Sequence, residues 1–185
     1  HNWVDYTDSD QSAGFSLLNN SKYGFDVRDN VLRMTLLRSP VTPDPEADIG
    51  RHSIEYAVYT HPSDWRDSNT PRRGYEFNYT PHVIRPGKHG GKLPATHSFF
   101  SASPANVIIT AVKMAEDGDG VIIRLVETDG REGIATVRLP WEPKNVVETN
   151  LIEDELKDKL PVRQDGNTLS APIGRFEIKT FKLIL

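Results

Sequence analysis

The sequence predicts an all-β protein, and three observations carry that expectation. Apolar and polar residues alternate at the two-residue period of a half-buried strand along much of the chain. Strand-like runs recur roughly every ten residues. Thirteen glycines and thirteen prolines punctuate the gaps, as tight turns and loops require.

The elements follow in order. Phe15-Ser16-Leu17-Leu18-Asn19 reads as a strand that runs into the turn cluster Asn20-Ser21-Lys22-Tyr23-Gly24. Phe25-Asp26-Val27-Arg28, the polar pair Asp29-Asn30 and the run from Val31 to Arg38 form a hairpin pattern. The second arm is apolar enough to predict burial on both faces. Residues 39–50 hold Pro40, Pro43 and Pro45 with Asp44, Glu46 and Asp48. Those prolines exclude a helix or an interior strand and leave a long ordered loop. Arg51 to Tyr59 alternates Ile54, Tyr56 and Val58 and reads as a strand. Pro62-Ser63-Asp64-Trp65 has the composition of a short helical turn. Residues 71–97, with prolines at 71, 81, 86 and 94, read as extended, with one strand from Tyr75 to Tyr79.

The second half is plainer. Strands are expected at 107–114, 121–127, 134–139, 146–150, 168–172 and 176–183, separated by turns such as Asp117-Gly118-Asp119-Gly120. The last strand alternates, with Phe176 and Ile178 on one face and Glu177 and Lys179 on the other. Residues 151–159 have helical composition. About 85 residues is the size of a small β-sandwich.

Composition narrows the function classes. The chain has 185 residues, 22 basic against 26 acidic, for a net charge of -4. That balance argues against a protein that tracks nucleic-acid phosphates and against a polybasic membrane binder. No apolar run approaches the roughly 20 residues of a membrane span. Cysteine is absent, which removes disulfides, thiolate metal sites and a Cys nucleophile. It also weakly favours a cytoplasmic protein. The opening HNWVDYTDSD has neither a signal-peptide pattern nor an initiator Met, and the chain reads as a piece of something longer.

The motifs for chemistry are weak. The histidines at 1, 52, 61, 82, 89 and 97 have no tight ligand spacing. Gly87-Lys88-His89-Gly90-Gly91-Lys92 lacks the strand and helix that a phosphate loop needs. No GxSxG elbow occurs. The acid clusters 44–48 and 116–119 each lie on a single loop, whereas a glycosidase pair faces across a pocket. Aromatics stack on sugars, and Trp3, Trp65, Trp141, Tyr56, Tyr59, Tyr75 and Tyr79 are candidates, with Trp65, Tyr75 and Tyr79 as the candidate exposed platform, although sandwich cores also use such rings.

One stretch is more specific. FSLLNNSKYGFDVRDNVLRMTLLRSPVTPDPEADIGRHSIEYAVYTH, residues 15–61, resembles the C-terminal β region of the glycoside hydrolase family 38 α-mannosidases. The matching pieces are LLNNSKYGFDV, then NVLRMTLLRSP, then PDPEADIGRH. The leading HNWVDYTD and the ending FEIKTFKL fit the same pattern, and the cytosolic and microbial branch is the nearer one. The resemblance implies the end of a galactose-mutarotase-like β-supersandwich over 1–97 and a small immunoglobulin-like sandwich over 98–185. It also implies a parent enzyme that is retaining and uses zinc or another divalent cation. The parent's nucleophile, acid/base and metal ligands would lie in an N-terminal catalytic part outside this chain. The isolated chain is then expected to be inactive and to hold no catalytic, cofactor or metal residues of its own.

By the same resemblance, loop 38–52 would reach the catalytic part or its pocket rim through Arg38, Asp44, Asp48, Arg51 and His52. The alternative is a stiffened surface connection in which Arg38 pairs locally with Asp44 or Asp48. The expected partners are the catalytic part and mannose-containing glycans, with no nucleic acid and no membrane; a homo-oligomer stays open. Two rival readings remain: a free-standing carbohydrate-binding β-sandwich using Trp65, Tyr75 and Tyr79, and an unrelated enzyme with a pocket of its own.

Overall fold

The computed structural model describes residues 1–157 and 161–185 and is all-β apart from one short helix. It divides into two units, His1–Ile84 and Arg85–Leu185.

The first unit is built on a three-stranded antiparallel sheet. Its strands are β1 (Trp3–Thr7), β2 (Ala13–Asn19) and β5 (Tyr56–Pro62), with β2 in the middle. Asp8 closes the β1–β2 turn, its carboxylate accepting from the Ser12 and Ala13 backbone N–H groups and the Ser12 hydroxyl. Register places Asp5, Ser16 and Tyr59 in one cross-strand row, and Tyr6, Phe15 and Thr60 in the next, on the opposite face. β3 (Phe25–Arg28) and β4 (Val31–Met34) form a separate two-stranded ribbon. Its turn passes through Asp29 in the left-handed region, as a two-residue hairpin turn demands.

Helix α1 (Thr70–Asn78) packs on the Asp5–Ser16 face of the sheet. A strand was expected over Tyr75 to Tyr79, and this is the clearest local correction. Pro71 lies in the first turn, where its missing N–H costs nothing, and so starts the helix instead of excluding it. Gly74 lets the helix approach Trp3, and the Asn78 side-chain amide donates to the Asn19 carbonyl at 3.0 Å. The run from Val31 to Arg38 also differs from expectation. β4 stops at Met34, and Val31, Leu36 and Leu37 are 46%, 44% and 42% exposed. A two-stranded ribbon has no second layer to bury both faces.

The second unit is a sandwich of two four-stranded antiparallel sheets. One has the order β10-β13-β8-β7: β10 (Asn145–Thr149), β13 (Ile178–Ile184), β8 (Val121–Glu127) and β7 (Val107–Met114). The other has the order β11-β12-β9-β6: β11 (Arg163–Asp165), β12 (Thr168–Ile173), β9 (Gly133–Arg138) and β6 (Ser101–Ser103). Ile123, Leu125, Phe181 and Leu183 meet Val137, Leu139, Leu169 and Ile173 in the core between them. This apolar burial is what holds the unit together.

The final strand begins at Ile178, after Phe176 in a left-handed conformation. Lys179 shares the alternation of Phe181 and Leu183 and is buried, with Glu148 as its partner at 2.5 Å. Residues 151–157 form a turn and one bridge, Thr149 to Glu155, rather than a helix. Residues 158 and 159 of that expected helical stretch lie outside the described residues.

Candidate functional site

Loop 38–52 organises itself around Asp48. The Asp48 carboxylate accepts from the Ser39 backbone N–H at 2.6 Å, and its carbonyl lies 3.0 Å from His52 Nε2. Asp44 caps the next turn by accepting from the Glu46 N–H at 2.9 Å. The loop is therefore braced from within, with Arg38, Asp44, Arg51 and His52 exposed. Arg38 makes no ion pair with Asp44 or Asp48 among the described residues. The structure thus gathers four of these five residues at the surface and uses Asp48 as the internal brace.

The three aromatics of the sugar-stacking reading divide into two places. Trp65 is half-buried, its ring 5.2 Å from that of Trp3 and beneath the Arg66 guanidinium at 4.2 Å. Tyr75 lies on α1 and Tyr79 caps it, with stacked rings 5.7 Å apart. Burial, together with the neighbouring Tyr79 phenol, raises the pKa of the Tyr75 hydroxyl above its ordinary value. Tyr79 is 71% exposed.

Sequence reasoning missed a buried polar cluster in the same unit. Asp5 from β1, Ser16 from β2, His61 from β5 and Thr70 from α1 meet beneath the helix. His61 Nε2 is 2.7 Å from Asp5 Oδ2, and the Ser16 hydroxyl donates to that oxygen at 2.6 Å. Ser16 Oγ also lies 2.8 Å from the Thr70 hydroxyl. These four residues are far apart in sequence, and only strand register brings them together. The run FSLLN had one visible signal, a polar Ser16 amid apolar neighbours.

The cluster is not a nucleophilic triad. In a triad the imidazole bridges the nucleophile and the carboxylate through its two different nitrogens. Here Nε2 faces both Asp5 and Ser16, while Nδ1 faces the Ser63 carbonyl at 3.1 Å. Ser16 is also fully buried. Where the β1–β2 hairpin meets β5, an open groove of about 1040 Å³ is lined by Asp8, Ser9 and others together with Tyr6, Phe15 and Thr60 from the sheet face opposite the cluster.

The described residues do not fit a metal of the kind the resemblance implies for the parent. No group of three or more His, Asp or Glu side chains among them is arranged to hold an ion. His61 has both nitrogens committed, and His52 and His89 face backbone carbonyls. No helix among the described residues is long and apolar enough to cross a membrane.

Residues 1–46 match the family described as "Glycosyl hydrolases family 38 C-terminal domain". Residues 106–181 match the one described as "Glycosyl hydrolases family 38 C-terminal beta sandwich domain". The chain is 31% identical to an alpha-mannosidase of Saccharomyces cerevisiae, over 99% of its own length and 18% of that protein's. It is 31% identical to alpha-mannosidase 2C1 of Mus musculus over 100% of its length and 18% of the relative's. A crystal structure of an alpha-mannosidase from Enterococcus faecalis has the same fold, with a TM-score of 0.77 at 20% identity over 99% of this chain and 21% of that one. The chain thus spans about a fifth of the length of these proteins. Two family matches in chain order, with the same all-β fold beneath them, place it: the chain belongs to glycosyl hydrolase family 38, as its C-terminal β domains.

Proposed function

We propose that this chain is the non-catalytic C-terminal portion of a metal-dependent α-mannosidase that releases terminal α-mannose residues, and that it supports the catalytic part and shapes its pocket rim. The observation that carries the reading is its similarity, along its whole length, to a limited part of proteins named alpha-mannosidases. Loop 38–52 supplies the contact. A loop braced internally by Asp48 presents Arg38 and Arg51 without spending them on each other's neighbourhood. A guanidinium is the side chain best suited to a two-point contact with a carboxylate. Leu36 and Leu37, between β4 and the loop, are exposed and add apolar area next to it in the chain. A cytoplasmic location belongs to the same reading, by resemblance to the cytosolic and microbial branch of the family.

The test is Arg38→Ala in the longer family polypeptide. Lower turnover or a lower melting temperature of the assembled enzyme is expected. Unchanged kinetics together with unchanged melting would remove the rim role. The rival reading, a free-standing carbohydrate-binding module, draws on the exposed Tyr79 stacked against Tyr75. Its test is whether Tyr79→Ala abolishes mannoside binding by the 185-residue chain.

A further inference from the structure

The second unit closes its own apolar core and carries a separate pocket of about 500 Å³ outside it. The pocket is built around Arg138, at the end of β9. Ala135, Val137 and Leu139 face the core, so strand alternation turns Arg138 to the outer face of the sheet. Ser101 of β6 is its direct cross-strand neighbour and lines the same pocket. Thr96, His97 and Ser98 line it from the segment before β6. Asn167 closes the far side and fixes the backbone there. Its side-chain amide donates to the Leu139 carbonyl at 2.8 Å, and the Leu139 N–H donates to the Asn167 carbonyl at 2.9 Å. Arg138 is therefore carried on a strand end pinned from β6 and from the β11–β12 turn.

The electrostatics are one-sided. Arg138 has no ion pair or hydrogen bond among the described residues, and no Asp or Glu lines the pocket. The cross-strand row through Arg138 reaches a carboxylate only at Asp165, two strands away, about 10 Å by sheet spacing. The sequence has no acidic residue between Glu76 and Glu116, a stretch that holds Arg85, Lys88, Lys92 and Lys113 in a chain of net charge -4. A concave site lined by one sign of charge concentrates ions of the other.

Each feature removes a class of ligand. A cation would meet the guanidinium and no carboxylate. A wholly apolar ligand would desolvate that guanidinium without pairing it, at a cost. What fits is an oxyanion. A guanidinium engages two oxygens at once. The hydroxyls of Thr96, Ser98 and Ser101 and the N–H of His97 are further donors, which suits the three terminal oxygens of a phosphate better than the two of a carboxylate. The volume is in the range of small-molecule sites and larger than a bare anion needs. Phe99, its ring held edge-on by His97 at 4.8 Å and 86°, and Pro140 supply an apolar wall for the remainder of such a molecule.

We infer that this pocket binds a small phosphate monoester, with Arg138 as the two-point anchor, the neighbouring hydroxyls and His97 as further donors, and Phe99 and Pro140 against the organic group. The inference uses only the second unit and does not depend on the proposed function.

The test is a backbone amide NMR titration of the 185-residue chain at constant ionic strength. The probes are phenyl phosphate, inorganic phosphate and, as the uncharged control, phenol. Saturable shifts at β6, the end of β9 and the β11–β12 turn are expected from phenyl phosphate, weaker ones from inorganic phosphate and none from phenol. Arg138→Gln should weaken phenyl phosphate binding about tenfold or more, since it removes a charge-assisted two-point contact. Arg138→Lys keeps the charge, loses the fork and should weaken it about fivefold. Ser101→Ala should cost about threefold. Preserved spectral dispersion of the variants is the check on folding. Equal affinity for inorganic phosphate would overturn the ester and leave a free-phosphate site. No saturable shift, equal shifts from phenol, or shifts that centre on Arg85, Lys88 and Lys92 and survive Arg138→Gln would overturn the pocket itself.

Discussion

Asp5 and His61 face each other at 2.7 Å with their side chains almost wholly buried, one on each outer strand of the first unit's sheet. The pair spans β2 and sits beneath α1, so it ties the sheet to the helix that covers it. The Thr7 and Ser16 hydroxyls complete the carboxylate's coordination. Asp5→Ala would leave an imidazole nitrogen and two hydroxyls without their acceptor. Losses of this kind cost about 2–4 kcal/mol. A urea unfolding midpoint for the first unit that does not move would contradict this.

Glu127 contributes to the pH dependence of the second unit. Burial pushes its carboxyl pKa up, but donation from the Phe176 N–H, the Asn106 side chain and the Asp129 N–H outweighs it, and the net shift is downward. A carboxyl with a lowered pKa in the folded state contributes stability that is present above its unfolded value. That stability is lost as pH falls through the folded value. Glu127→Gln should flatten the acid limb of the stability profile below about pH 4.5, measured by thermal melting across pH.

Lys179 and Glu148 form a buried pair within the sandwich, and Glu148 Oε2 has no hydrogen-bond partner. Lys179→Met alone leaves a buried carboxylate uncompensated and should cost about 3–5 kcal/mol. The double change Lys179→Met, Glu148→Leu should recover most of that loss. Additive losses in a double-mutant cycle would show that the two residues act independently.

Gly74 sets two effects against each other. Alanine in place of a helical glycine normally gains about 1 kcal/mol of helix propensity. Here the new Cβ would lie 2.8 Å from Trp3 Cδ1, and Trp3 is itself packed against Trp65. Overpacking of this kind costs about 1–3 kcal/mol, so Gly74→Ala should destabilise the first unit on balance. A raised melting temperature would mean that Trp3 moves freely.

The long strands of the second unit are legible because they are runs of β-branched and apolar residues, with 107–114 and 121–127 matching to the residue, whereas the short polar β6 and β11 carry no such signal and were not expected. The first unit was harder. Residues 70–78 carry a proline and a glycine, which read locally as loop signals, and become a helix only because Pro71 and Gly74 fall where a helix tolerates them. The apolar run at 31–38 predicted double burial because sequence registers apolarity and cannot register what lies across from it. The polar cluster was illegible for a related reason. Asp5, Ser16, His61 and Thr70 are brought together by register between three strands, which no local pattern encodes. The loop residues 38–52 were found through family resemblance, and their geometry, with Asp48 as internal brace, was not foreseeable from spacing.

The central claim is that catalysis lies outside these residues. The direct measurement is hydrolysis of 4-nitrophenyl α-mannoside by the purified 185-residue chain, with and without zinc or cobalt, alongside its native mass. A 20.8 kDa species with no turnover under either condition is the expected result. Metal-dependent turnover by that same species would contradict the account, because it would put a catalytic carboxylate pair and a metal site within this chain.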